Sequence, residues 1–260
     1  MVNYLPDKAP SEDTASISVH KEWMKTEKMK KKPNFERVAV CMDATLSHRR
    51  HLIIKDAAPL GTIKAEYPWL FDEDEICKEF GRIQGPKSRG IKELLKDGLQ
   101  KYGDAVLKVC KLMNRTDPSF AWAVDQLPLQ RNEDSKKDAT AVAAVFGIPL
   151  LFKEKIRSFL LFADENTEDT PALFIKGNGS TLGECTEFSV FLEGEEVGSC
   201  SHLLPALSAY VAAYYVFNLA YPTAFKKTMA FFQKIILNIQ DNLKFDRSVL
   251  SILEKINQNL

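Results

Sequence analysis

A stretch without charged side chains places the strongest constraint on how this chain can fold. No Asp, Glu, Lys or Arg occurs between Glu196 and Lys226, and most residues of 203–221 are apolar. Such a segment must avoid water, either in a bilayer or in a protein core. Pro205, Asn218 and four tyrosines dilute its hydrophobicity below what a bilayer demands. We therefore predict a helix that the protein surrounds on nearly all sides, and no membrane span.

The overall composition is that of an ordinary globular protein. Hydrophobic residues make up 45% of the 260 residues and charged residues 27%, which suits one large domain or two small ones. The 35 basic and 35 acidic residues balance, so no overall field attracts nucleic acid or an anionic membrane. Five scattered cysteines without a CxxC pair are typical of a reducing compartment, and the N-terminus lacks the apolar core of a signal peptide. We expect a cytoplasmic or nuclear protein.

Composition divides the chain into three regions. Residues 1–32 are polar and then basic, which predicts a disordered tail. Residues 33–125 show helical spacing, and residues 139–260 combine predicted strands with helices. The polar residues 126–138 separate the last two regions, with one continuous domain over 33–260 as the alternative.

The helical region contains several distinct signals. Apolar spacing from Phe35 to Ile53 predicts one helix, and the Pro- and Gly-containing segment 59–71 predicts an irregular loop that carries aromatic residues into the core. Asp72 and Glu75 form a capping-box pattern before the next helix, which Gly85 ends. The clearest helix covers about 91–113, with Ser88 as its predicted cap.

The second half changes character. A short helix is predicted at 139–146, and strands at 171–176 and 187–192 flank a glycine-rich turn. Helices follow at about 203–219, 223–239 and 247–259. The predicted fold class is α+β, mainly helical, with a small antiparallel sheet in the second half.

Two charged groups are candidate binding surfaces. The possible basic patch comprises Lys25, Lys28, Lys30, Lys31, Lys32, Arg49 and Arg50. A lysine run of this kind is typical of nuclear import signals and nucleic-acid contacts, and also of an ordinary solvated face. The possible acidic docking surface comprises Glu193, Glu195 and Glu196, which could attract a basic partner or simply keep a turn solvated.

No motif in the sequence names a reaction. His48 and His51 lie one helical turn apart, but no second pair completes the four ligands of a zinc site. Cys185 or Cys200 could pair with His202 or His20 as a thiol nucleophile, yet no signature surrounds either cysteine. The glycines of 177–183 match no phosphate-binding loop. We assign no catalytic residue, cofactor or metal ligand.

Several strings, taken in order, resemble a known family. They are EYPWLF (66–71), EFGRI (79–83), VFLEGEEV (190–197), AYYVFNLAYP (213–222) and FFQKIIL (231–237). In this order they resemble a group of animal proteins, mostly from fish, labelled sterile alpha motif domain-containing protein 3-like. Longer members carry an N-terminal sterile alpha motif domain, a helical interaction module that the polar, lysine-rich start of this chain cannot supply. The resemblance implies no catalytic residue and favours an interaction protein.

Three functions remain open from the sequence. The first is a non-enzymatic intracellular interaction module that binds protein partners or itself. The second is a nucleic-acid-associated nuclear protein that uses the lysine run. The third is an enzyme with a dispersed site, in which distant polar residues converge on Cys185, Cys200 or His202.

Overall fold

The first half of the chain folds almost entirely into helices. The computed structural model describes residues 4–85, 88–166, 170–240 and 244–260. Six helices lead to the middle of the chain: α1 (Thr14–Lys28), α2 (Phe35–Ala44), α3 (Leu46–Ile54), α4 (Leu60–Glu66), α5 (Glu73–Gln84) and α6 (Ile91–Leu112).

Helix α1 lies inside the segment that composition predicts to be a disordered tail. Asp13 caps it by accepting a hydrogen bond from the Ser16 amide, and its Ile17 and Met24 are buried. The few apolar residues of this segment are thus enough to dock it, because α2 and the loop after α4 cover them. Residues 1–3 of the predicted tail lie outside the described residues.

The segment 35–71 differs from its prediction in two places. The single predicted helix is two, α2 and α3, which meet at Thr45, where the backbone leaves the helical region. The predicted irregular loop contains α4 and a 3-10 turn at Pro68–Phe71. As predicted, Tyr67, Trp69 and Leu70 reach the core.

Helix α5 begins and ends where its sequence signals indicate. Asp72 caps it, but by accepting from the amide of Asp74 at 3.2 Å, and Glu75 binds Arg82 instead of completing a capping box. Gly85 ends the helix with a φ of 92°, a conformation that favours glycine.

Helices α7 (Pro118–Asp125) and α8 (Glu133–Leu151) join the two halves. The predicted short helix at 139–146 is too short, because α8 starts within the polar stretch and continues past Gly147 and Pro149. A side chain at Gly147 would lie only 3.0 Å from Val106 and 3.2 Å from Cys110. Gly147 thus allows α8 to pack closely against α6.

The sheet has four strands in the order β1-β2-β3-β4 within the described residues. They are β1 (Leu160–Leu161), β2 (Leu173–Gly177), β3 (Phe188–Leu192) and β4 (Glu195–Cys200). Strands β2 and β3, which correspond to the two predicted strands, pair antiparallel. Strand β4, which was not predicted, pairs antiparallel with β3, and β1 pairs parallel with β2. The α+β fold class is confirmed, with a mixed sheet in place of a purely antiparallel one.

The uncharged stretch forms the central helix of the second half, α9 (Leu203–Val216). Nearly all of its side chains are buried, which confirms the predicted surrounded helix. Helix α10 (Lys226–Phe231), a π turn at Phe232–Ile236 and α11 (Arg247–Asn257) follow it. Across the part of the chain that the structure describes, no helix has the length and apolarity needed to cross a bilayer.

One hydrophobic core runs through both halves, from Met24 on α1 to Ile256 on α11. Helix α9 lies at its centre, between α5 on one side and the sheet on the other. The rings of Phe80 and Tyr215 pack perpendicular to each other with centroids 5.0 Å apart. Because α5 and the sheet both pack on α9, the charged residues at the start of α5 and on the β3–β4 turn are fixed relative to each other.

Candidate functional site

The lysine segment, defined as Lys25, Lys28, Lys30, Lys31 and Lys32, covers the end of α1 and the loop after it. Lys25 and Lys30 pair with glutamates of α1 at 2.7 and 2.6 Å, and Lys28 pairs with Asp72 at 3.4 Å. Lys28 also lies 4.3 Å from the centre of the Trp69 ring. The last two lysines of the segment are exposed. Three of its five lysines are thus paired with nearby carboxylates.

Arg49 and Arg50 do not join a surface patch with these lysines, because both are fully buried. Arg49 binds Glu79 through two hydrogen bonds of 2.9 and 2.7 Å. Arg50 donates to the carbonyl oxygens of Tyr215 and Val216 at 3.3 and 2.6 Å. Both arginines bind partners that lie far away in sequence. The prediction that HRRH forms an exposed basic face is therefore wrong for these two residues.

The three acidic residues lie at the hairpin between β3 and β4: Glu193 is in its two-residue turn, and Glu195 and Glu196 begin β4. We call these three residues the acidic turn. Glu193 and Gly194 both have positive φ, of 50° and 83°, as the tightest antiparallel hairpins require. The turn exposes Glu193, Glu195 and Glu196 together. Glu195 accepts a 2.6 Å hydrogen bond from Lys64 of α4.

One cleft brings Glu196 of the acidic turn and Lys28 of the lysine segment to the same face. The cleft has a volume of about 500 Å³, and its charged lining residues are Lys28, Lys64, Asp72, Glu73, Asp74 and Glu196. We call this the charged cleft. A side chain at Gly198 would lie 3.2 Å from the Cα atom of Glu73, so β4 packs directly on the start of α5. This close packing places the acidic residues at the start of α5 beside Glu196 of β4.

Acidic groups dominate the charged cleft. Lys92 binds Glu73 at 2.8 Å and Asp74 at 2.5 Å. The Lys92 hydrogen bond lowers the pKa of Asp74, whereas burial raises the pKa of Glu73. Asp74 and Glu195 keep about half or more of their side chains exposed. The cleft can therefore offer carboxylates to a basic group from outside the chain.

Of the cysteines and histidines that the sequence suggests as pairs, Cys185 and His202 come to the same groove. Cys185 and His202 line a second, more apolar groove of about 700 Å³ beside Trp122. The Cys185 thiol donates to the carbonyl of Thr181 at 3.2 Å, and burial raises its pKa. Burial also raises the pKa of Cys200 to about 12. Both thiols are therefore protonated at neutral pH. Among the described residues, neither thiol forms a hydrogen bond with His202.

His20 contacts a different cysteine from the two that the sequence suggests. Its Nδ1 lies 3.4 Å from the Cys41 thiol, and its Nε2 lies 3.2 Å from Glu12. The Cys41 side chain is buried, and burial raises its pKa. The series Glu12–His20–Cys41 therefore ties α1 to α2. No sequence motif marks it, because the contact depends on how the two helices pack.

The two histidines of HRRH have different surroundings. His48 shares a 2.7 Å hydrogen bond with the buried hydroxyl of Tyr67, and burial lowers the pKa of His48. His51 is exposed and lies 3.3 Å from Asp56. Among the described residues, no group of three or more His, Cys, Asp or Glu side chains is arranged to hold a metal ion.

Comparison with known proteins extends over most of the chain. Residues 17–72, from α1 to the start of α5, match the family model described as sterile alpha motif domain-containing protein 3, helical domain. The human (Homo sapiens) sterile alpha motif domain-containing protein 3 is 24% identical over 225 residues, 86% of this chain and 42% of the human protein. The mouse (Mus musculus) protein of the same name is 23% identical over 231 residues, 87% of this chain and 43% of the mouse protein.

The chain spans less than half the length of these curated relatives. No solved structure matches it. The matched family model is the helical domain and not the sterile alpha motif domain itself. The resemblance seen in the sequence is therefore confirmed: over most of its length this chain is similar, at low identity, to sterile alpha motif domain-containing protein 3.

Proposed function

We propose that this protein is an intracellular interaction module that associates with a second copy of itself through the charged cleft. The observation that carries the proposal is that Lys28 of the lysine segment and Glu196 of the acidic turn line one cleft. Similarity to a protein named for an interaction domain supports the same class of function.

Adjacent patches of opposite charge suit a two-fold symmetric contact. In such a contact each surface patch meets its counterpart reciprocally, so the lysine segment of one copy faces the acidic turn of the other. Lys31 and Lys32 supply exposed charge for this contact, and Asp74 and Glu195 supply exposed carboxylates. Complementary charges steer association and fix its register.

Apolar side chains at the edge of the lysine segment add contact area. Met29 is 87% exposed and Phe35 is 61% exposed, and the Phe35 ring meets Trp69 edge-on at 5.8 Å. Covering such side chains contributes favourable free energy that surface ion pairs rarely provide alone.

Light scattering coupled to size-exclusion chromatography tests this proposal. We expect a discrete dimer at low salt that dissociates as salt screens the contact. The acidic variant E193K/E195K/E196K and the basic variant K30E/K31E/K32E should each be monomeric. Mixing the two variants should restore a dimer, because the exchanged charges are again complementary.

A matched control separates this contact from the effect of net charge. The variant D104K/E133K/E254K makes the same charge change at exposed acids that form no ion pair with the described residues, and it should remain dimeric. A monomeric wild-type protein at low salt would contradict self-association. Co-purifying nucleic acid that K30E/K31E/K32E removes would favour the nucleic-acid alternative instead.

A further inference from the structure

The groove beside Trp122, which we call the apolar groove, is enclosed by several parts of the fold. Helices α6, α7 and α8, strand β3 and the start of α9 all contribute to its lining. Its volume of about 700 Å³ lies within the range of about 300–1,000 Å³ that is typical of small-molecule sites. A stable contact with another protein buries about 800 Å² on each partner, which a hollow of this size does not provide. The groove therefore suits a small molecule.

Leucine and aromatic side chains form much of the lining of the apolar groove. Leu95 and Leu99 of α6 and Phe188 of β3 are almost fully buried, so they form its floor. Trp122 is 39% exposed and Leu204 is half-buried, so both still contact water. Each methylene group of a ligand that such a lining buries increases affinity about fourfold.

The groove is preformed, because the Trp122 ring is fixed at its edge. A Cβ atom at Gly183 would lie 2.8 Å from the indole Nε1 atom and 2.9 Å from the Cε2 atom. The absence of a side chain at Gly183 thus lets the backbone pack directly on the ring. A site that already has its binding shape loses less conformational entropy when a ligand enters.

Three polar groups of the groove are free to bind a ligand. The indole N–H of Trp122, the side-chain amide of Gln126 and the ring of His202 form no hydrogen bond with the described residues. This set includes both donors and acceptors. A hydroxyl group also both donates and accepts, so it is the head group that matches such a set.

The charged side chains at the rim of the groove are already paired. Lys96 lies 3.8 Å from Asp138. Lys92 binds Glu73 at 2.8 Å and Asp74 at 2.5 Å. A charged ligand would lose its hydration without meeting an unpaired charge of opposite sign. The rim therefore favours an uncharged ligand over a carboxylate or an amine.

We propose that the apolar groove binds an uncharged small molecule with an aliphatic body and one hydroxyl group. The aliphatic body packs on Leu95, Leu99 and the neighbouring apolar side chains, and the hydroxyl group meets the free polar groups of Trp122, Gln126 and His202. Neither the acidic turn nor the lysine segment lines this groove. Binding there does not depend on self-association.

Calorimetric titration with octanol tests this site. We expect saturable binding to the wild-type protein, and hexanol should bind about tenfold more weakly, because it buries two methylene groups fewer. The variant A139F places a ring in the groove from half-buried Ala139 and should weaken octanol binding about tenfold or more, because a filled groove has no room for the ligand. The control A121F makes the same change at an exposed position of α7 outside the groove and should bind as the wild type does.

Two further measurements complete the test. Octanoate and octylamine have the same chain length as octanol and should bind about tenfold more weakly, because the groove offers no unpaired charge. The smaller substitution A139L should weaken octanol binding by less than A139F, and it keeps the test valid if A139F is unstable. Absence of octanol binding, equal weakening by A139F and A121F, or equal affinity for octanol and its charged analogues would overturn the proposal.

Discussion

At the scale of single residues, the most consequential contact is the buried ion pair between Arg49 and Glu79. Neither side chain is exposed, and Arg82 adds a 3.1 Å hydrogen bond to the same carboxylate. The remaining donors of Arg49 reach Thr45 and the carbonyl of Met42 at 2.5 and 2.6 Å. All three nitrogens of the Arg49 guanidinium thus donate to an acceptor. These hydrogen bonds offset the free-energy cost of burying the charge.

Replacing Glu79 should therefore be severe. E79Q leaves Arg49 buried without a compensating charge, and we expect the free energy of unfolding to fall by about 3–5 kcal/mol. Urea unfolding measures this loss. The matched control is E93Q, which removes one of the two exposed partners of Arg89 and should cost at most about 1 kcal/mol. Equal losses in the two variants would contradict the importance that we assign to the buried pair.

The same pair determines how stability responds to acid. Burial by itself would raise the pKa of Glu79, but the charge and hydrogen bonds of Arg49 and Arg82 outweigh it and hold the pKa below 4.5. A lowered pKa contributes stability that is fully present above the pKa of the unfolded chain and is lost as pH falls through the folded value. Below pH 4.5 the wild type should therefore lose stability faster than E79Q. Parallel stability curves for the two proteins would show that Glu79 does not titrate in this way.

At the scale of elements, close approach of helices governs the packing of α6. A Cβ atom at Gly98 would lie 2.1 Å from the carbonyl oxygen of Ile236, in the π turn after α10. That backbone cannot move aside as a flexible side chain could. The π turn and α6 therefore pack together only because residue 98 has no side chain.

Two alanine substitutions within helices should have opposite effects. G98A forces α6 away from the π turn, and we expect a loss of about 1–3 kcal/mol or more. G81A, in α5, meets no atom within 4 Å and should stabilise by about 0.5–1 kcal/mol, because alanine favours helix more than glycine. Thermal unfolding of both variants checks the prediction. A G98A protein as stable as G81A would mean that the close contact is not maintained in solution.

At the scale of the whole molecule, several contacts join the regions that composition separates. Helix α8 starts in the predicted boundary and packs along α6, while α9 packs along α5. Arg50 of α3 binds the carbonyl oxygens at the end of α9. We propose from these contacts that the two halves fold as one unit, which is the alternative to a division at 126–138.

Equilibrium unfolding can distinguish one unit from two. All three tryptophans, Trp23, Trp69 and Trp122, lie in the first half, whereas far-ultraviolet circular dichroism follows helices of both halves. If the halves fold together, the two signals should change with the same urea midpoint. A fluorescence transition at a separate midpoint would show that the first half unfolds independently.

The sequence by itself determined the features that depend on neighbouring residues. Helical spacing located α6, α9 and α11, Asp72 and Gly85 marked the ends of α5, and strands β2 and β3 lay where predicted. The uncharged stretch required a buried helix, because no other environment in a folded protein spares it from water. The exposed acidic turn followed from its local pattern of charge and glycine.

Only the tertiary structure decided which charged residues are buried and which lie together. From the sequence, Arg49 and Arg50 are expected at the surface. In the structure they are buried, because Glu79 and the carbonyl oxygens at the end of α9 bind them. The same is true of the charged cleft, whose residues come from separate elements of the chain. Charge pairing acts through space over a few ångströms, so it depends on packing and not on sequence spacing.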